Sequence, residues 1–242
     1  MVEAVEIYSS HKLDDLCKGM AGIEPDWDDL FCNLALIHGS GNKEYRELSD
    51  YMGRLTEFHL DNLIEGSCRV QRVEIGHPLE IQENGLSLAI DANGRHLISI
   101  KDGKCENKVH EYDKIVVLEG IPVNFEISIG RCLRNMINSD IVYRRLETIA
   151  RLLGTDKVGY VAVMPLDYYE IFKMQIDNGW DEKTRRHRRI FNNGAKVVPL
   201  YACRNKILVD LEKQVRIRIK KYYNNGRVVR STEEAVAKFA NR

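Results

Sequence analysis

The seven residues Val158-Gly159-Tyr160-Val161-Ala162-Val163-Met164 run without a charged side chain. Successive side chains of a strand point to opposite faces, so a strand that is apolar at nearly every position is buried on both. Such a strand belongs inside a sheet with a further layer above and below it, which confines the chain to architectures that cover two sheet faces. The flanking sequence supplies those layers. Ser139-Asp140 is a helix-start signal, Ile141, Val142, Leu146, Ile149, Ala150 and Leu153 form an apolar stripe at helical spacing, and Gly154 is the stop. A helix around Asp167–Ile176, a second buried strand at Lys196–Cys203 and a basic helix from about Asn205 to Tyr223 complete a strand–helix alternation.

The first half reads differently. Short helices broken by Gly22, Pro25 and Gly39-Ser40-Gly41 precede a longer helix from about Lys43 to Glu65, whose Leu48, Met52, Leu55, Leu60 and Leu63 recur at helical spacing. Arg69–Ile75 alternates polar and apolar, as a half-buried strand does. Asn84-Gly85, Asn93-Gly94 and Asp102-Gly103 then stand between β-like runs. Asn, Asp and Gly tolerate the positive φ of tight hairpin turns, so residues 68–130 are expected to form an antiparallel meander. Lys114–Leu118 and Val123–Ile129 close it across Glu119-Gly120-Ile121-Pro122. The expected fold is α/β, one mixed sheet flanked by helices. The expected organisation is a helical segment 1–41, an α/β domain 42–225 and a tail 226–242.

A chain of 242 residues with 44% hydrophobic and 30% charged residues suits one large globular domain. No stretch approaches the roughly 20 apolar residues of a membrane helix, and no basic-plus-apolar leader opens the sequence, so the cytoplasm is the expected location. Cys17, Cys32, Cys68, Cys105, Cys132 and Cys203 are scattered without a CxxC pair, and the seven histidines lack metal-ligand spacing. Reduced structural thiols are expected, and phosphate loops and GxSxG elbows do not occur. Net charge is zero but unevenly spread: residues 1–62 are acidic, whereas 185–230 carry fourteen Lys/Arg against Asp210 and Glu212. A basic region of this kind suits nucleic acid, or an acidic surface of the same chain or of a partner subunit.

The stretch Tyr112–Ser128 carries the chemistry. Asp113 stands at the mouth of one strand, a hairpin follows, and Glu126 lies within an otherwise apolar strand. With Phe125 and Ile127 facing the core, Glu126 and Ser128 share the other face, and the hairpin brings Asp113 across from Glu126. Converging carboxylates suit Mg²⁺ or Mn²⁺, hard cations that prefer oxygen ligands.

An Asp, about a dozen residues and then Glu-x-Lys at the end of a hairpin is the pattern of the PD-(D/E)xK, or restriction-endonuclease-like, nucleases, and this stretch resembles it. The following helix and buried strand fit as well, and Gly53-Arg54-Leu55-Thr56-Glu57 is similar to a pattern that several members carry on their first helix. The resemblance implies a restriction-endonuclease-like mixed sheet, metal-dependent hydrolysis of DNA phosphodiesters, Asp113 and Glu126 as metal ligands and Glu57 as a third. Many such relatives are homodimers. The chain departs from the pattern at Ser128, where the family has a lysine; a hydroxyl supplies no positive charge. Arg131, Arg144 and Arg145 on the following segment are the candidates to replace it; Lys114 is also near in sequence but should point away from Asp113 on its strand. DNA contacts are expected from the three arginines and from the run Lys183, Arg185, Arg186, Arg188 and Arg189, which can neutralise phosphates without reading sequence. Two further readings stay open: the same fold without effective catalysis as a nucleic-acid-binding module, and an interaction protein whose acidic and basic parts meet across subunits.

Overall fold

The computed structural model of the chain describes residues 5–28, 30, 48–78, 81–83, 86–90, 96–102, 105–129, 133–177 and 189–224. Its elements are β1 (Glu6–Ile7), α1 (His11–Met20), α2 (Leu48–Gln71), β2 (Ile81–Glu83), β3 (Leu86–Ile90), β4 (His96–Asp102), β5 (Cys105–Tyr112), β6 (Lys114–Leu118) and β7 (Ile121–Ile127), followed by α3 (Leu133–Met136), α4 (Ser139–Leu153), β8 (Lys157–Met164), α5 (Leu166–Asp177), β9 (Lys196–Pro199) and α6 (Arg204–Asn224). No helix among the described residues is long and apolar enough to cross a membrane.

The strand β8, free of charge from Val158 to Met164, is central. β7 runs parallel along one edge, from Val123↔Gly159 to Ile127↔Val163. The other edge is shared: β1 pairs with its start at Lys157 and Val158, and β9 with its end from Val161 to Met164. Antiparallel β6 pairs with β7, completing a five-stranded mixed sheet. Val161 and Val163 join a core with Leu13, Leu16 and Met20 of α1, Leu55, Leu60 and Leu63 of α2, and Ile207 and Leu211 of α6. Val158, Tyr160, Ala162 and Met164 face the opposite core, with Val142, Leu146 and Ile149 of α4 and Phe172 of α5. The chain is therefore mixed α/β, a mixed sheet flanked by helices.

Three sequence expectations are corrected. The meander does not join the central sheet: β2–β5 form their own four-stranded antiparallel sheet, whose Leu88 and Ile98 pack into the α4 core. The outer edge of β6 is instead met by Gly76, which exchanges two backbone hydrogen bonds with Val117 at 2.7 and 2.8 Å. Arg69–Ile75 is not a strand, because α2 runs on to Gln71. Its alternation is too short to exclude a helical turn, Val70 is 72% exposed, and Arg72 takes a positive φ of 54° while the Val73 N–H bonds back to the Cys68 carbonyl, a helix-ending geometry. Nor do the first residues stand apart: β1 is a strand of the main sheet, and α1 packs on α2 in its core.

The α1–α2 contact is close because Gly19 has no side chain. A Cβ there would lie 2.2 Å from Ser67 Oγ, and that hydroxyl donates to the Leu16 carbonyl at 2.7 Å. Gly19→Ala should lower stability by about 1–3 kcal/mol, outweighing its better helix propensity. At Gly66 the nearest obstacle to a Cβ is Ile23 Cδ1 at 3.6 Å, so Gly66→Ala should gain about 0.5–1 kcal/mol. Urea midpoints that moved the same way for both variants would contradict this packing.

His59 of α2 is only 5% exposed, and neither ring nitrogen has a hydrogen-bond partner. Burial pulls its pKa down to about 4. The unfolded chain takes up this proton near pH 6.5, so stability is lost as pH falls from there toward 4, by at most roughly 3 kcal/mol. His59→Leu should flatten that decline, as measured by urea unfolding of both proteins at pH 7 and pH 5; parallel declines would count against it.

Candidate functional site at the junction of the two sheets

One residue, Asp113, separates β5 from β6, so it sits where the small sheet passes into the large one. Lys114 pairs with Phe125, and one further step of that register sets Asp113 opposite Glu126. Asp113 Oδ2 accepts the Ile127 N–H at 2.8 Å, closing the hairpin beyond its last ladder pair. Along β7, Val123, Phe125 and Ile127 face the α1–α2 core, while Asn124, Glu126 and Ser128 take the other face. That face is covered too: Asn124 is 0%, Glu126 6% and Ser128 8% exposed.

A buried carboxylate needs a proton or a cation, and α4 supplies a cation. Arg145 Nη2 lies 2.6 Å from Glu126 Oε1 and also donates to the Glu111 carbonyl. Its guanidinium stands 4.8 Å from the centre of the Tyr112 ring, whose hydroxyl donates to the Arg145 carbonyl at 2.9 Å. The Asn124 amide nitrogen donates to the same Glu126 Oε1 at 3.2 Å. Two buried atoms are left over: Arg145 Nε and Asn124 Oδ1 have no hydrogen-bond partner. Burial, and after it the Asp113 charge, pushes the Glu126 carboxyl up to about 8, against the pull of Arg145 and Asn124. Burial and then the Arg145 charge hold the neighbouring His110 below its usual range.

The expected pair, Asp113 and Glu126, thus converges, and Ser128 follows on the same face, its N–H bonded to the Val163 carbonyl at 3.1 Å. Glu57 is not brought to them. It lies half-buried on α2, which packs on the other sheet face, where Lys114 meets Asp61 at 2.9 Å. Of the arginine candidates, Arg145 reaches Glu126 and Arg144 is exposed; Arg131 lies outside the described residues, as do Lys183, Arg185, Arg186 and Arg188. Arg189 is exposed, 3.7 Å from Asp140 and 5.0 Å from the centre of the Tyr143 ring. Tyr112, Asn124 and Tyr160 complete the surroundings without having been expected there. Two of them were within reach of the sequence, since Asn124 shares the period of Glu126 and Tyr112 adjoins Asp113.

As arranged, these residues do not fit Mg²⁺ or Mn²⁺. A hard dication needs ionised oxygens, yet Glu126 Oε1 is engaged by a guanidinium and an amide, and the carboxyl favours its proton. Among the described residues no three His, Cys, Asp or Glu side chains gather in a way that could hold a metal.

Removing one partner of a buried ion pair leaves the other charge uncompensated. Arg145→Met should cost about 3–5 kcal/mol, and adding Glu126→Leu should restore at least half of it. A double variant as unstable as the single one in chemical denaturation would show that the two groups are not coupled. Compared with protein-family models, with curated proteins and with solved structures, the chain finds no match.

Proposed function

We propose that this chain is a catalytically impaired relative of the PD-(D/E)xK nucleases, a restriction-endonuclease-like domain that holds nucleic acid rather than cutting it. The observation that carries the reading is the 2.6 Å contact between Arg145 and Glu126. It engages the acid on which metal-assisted hydrolysis would depend, while Ser128 stands where an attacking water would be positioned by a lysine. Both acids remain in the hairpin positions expected of such a site, which supports descent from an enzyme.

Support for nucleic acid comes from charge. Fourteen Lys/Arg against two acids between 185 and 230 form a basic region whose described members include exposed Arg189. Contacts of this kind are made to phosphates, so they are blind to sequence and weaken steeply with salt. A second reading, a working Mg²⁺- or Mn²⁺-dependent endonuclease, has in its favour the register that sets Asp113 opposite Glu126.

One experiment separates the two. The protein, incubated with duplex and branched DNA in Mg²⁺ or Mn²⁺, should bind both and cleave neither, and Asp113→Ala should bind as the parent does. Changing Lys183, Arg185, Arg186, Arg188 and Arg189 to Gln should weaken binding. It should also flatten the dependence of log affinity on log salt by about 0.9 for each phosphate no longer neutralised. Cleavage abolished by Asp113→Ala and Glu126→Ala would establish the enzyme instead, and failure to bind DNA at low salt would end the nucleic-acid reading.

A further inference from the structure

We infer that α5 and α6 together form a self-complementary docking surface for a second copy of this chain, α5 of each copy lying on α6 of the other about a two-fold axis. The inference goes beyond the nucleic-acid reading and does not depend on it.

α5 is a helix of twelve residues that buries one side chain, Phe172. A surface helix ordinarily turns an apolar stripe to the core and a polar face to water. On α5 apolar residues stand on the water side as well. Ile171 is 50% and Met174 56% exposed, and with exposed Tyr168 they recur at every third position, so they neighbour one another along the helix. α6 packs beside α5, the Arg204 N–H at its start donating to Asp167 Oδ1 at 2.9 Å, and it adds Val209, 62% exposed. Of the seven large apolar side chains exposed among the described residues, five lie on these two helices. Single exposed apolar residues are ordinary, whereas a gathering of them on adjacent elements marks a surface that is covered by a partner.

Charge selects the partner. α5 carries Asp167, Glu170 and Asp177 against Lys173, while α6 carries seven Lys/Arg against Asp210 and Glu212. The surface is thus acidic on one helix and basic on the next. A partner of one sign matches one helix and is repelled by the other; a polyanion, for instance, is drawn to α6 and pushed away by α5. A second copy matches both. The axis of a two-fold contact lies in the interface, so an axis along the α5–α6 boundary sets each acidic helix on a basic one. An axis across that boundary sets like on like, which costs energy at every close approach.

Sedimentation equilibrium of the full chain in low salt tests this. Wild type should pass from monomer to dimer as concentration rises through the micromolar range, and added salt should weaken the dimer. Ile171→Glu and Val209→Glu, both at exposed positions, should each weaken it by about tenfold or more. Glu170→Lys and Lys213→Glu should each weaken it when alone, and an equimolar mixture of the two should associate more tightly than either, because opposite charges then face each other in both halves of the contact. A chain that stays monomeric at every concentration overturns the inference. So does a dimer as tight in Ile171→Glu and Val209→Glu as in wild type, or a mixture no tighter than its components. Circular dichroism checks the fold of each variant, and Met174→Glu replaces Ile171→Glu should the latter not fold.

Discussion

Burial of β8 on both faces and along both edges is the constraint from which the rest of the molecule follows. A strand whose side chains are apolar at nearly every position is stable only when every direction is filled. Here β7 fills one edge, β1 and β9 divide the other, and two separate cores fill the faces. The neighbouring strand inherits this situation. A Cβ at Gly159 would stand 3.0 Å from both Val123 methyl groups, so β7 lies tightly against β8 and is itself sealed above and below. A carboxylate on β7 is consequently almost wholly withdrawn from solvent, and the character of the candidate site is set before any question of chemistry arises.

A sealed carboxylate can be neutralised by a proton, an organic cation or a metal. The cluster at Glu126 uses an organic cation. Arginine suits the task because its flat guanidinium donates in several directions at once and lies comfortably over an aromatic ring. Arg145 uses this to hold Glu126 of β7, the Glu111 carbonyl of β5 and the Tyr112 ring together, and Tyr112 returns a hydrogen bond to the Arg145 backbone. One side chain thereby ties α4 to both sheets at the point where Asp113 turns the chain from one into the other. Buried ion pairs seldom add much net stability, but they penalise every arrangement that separates the partners.

Much of this was legible in the sequence, for reasons that can be named. The α4 limits follow from local chemistry: the Asn138 side chain caps the Asp140 N–H at 3.1 Å, and Gly154 ends the helix at φ 63°. The β6–β7 turn, with Glu119 and Gly120 both at positive φ, joins strands that hydrophobicity alone would pair. Period two placed Glu126 and Ser128 on one face. That this face is covered was not legible, because its cover comes from α4 and the meander, and nothing local in β7 encodes a distant lid. The same distance explains why the meander reads as part of one sheet: hairpin signals state which strands pair, not where a sheet stops. Arg145, by contrast, could have been chosen over Arg144 from the sequence. It lies three residues after Val142 and four before Ile149, on the buried stripe, while Arg144 points outward.

The residue at 128 belongs to the same account of charge. A lysine there, at a position less than a tenth exposed, would add a second buried cation to the face that already holds Arg145 at Glu126. Such an excess of buried charge is costly. Serine adds no charge and little volume, so one guanidinium and one carboxylate suffice. The arginine on α4 and the serine just past β7 therefore belong to one account of charge: the positive charge on this face comes from the helix, and position 128 is neutral.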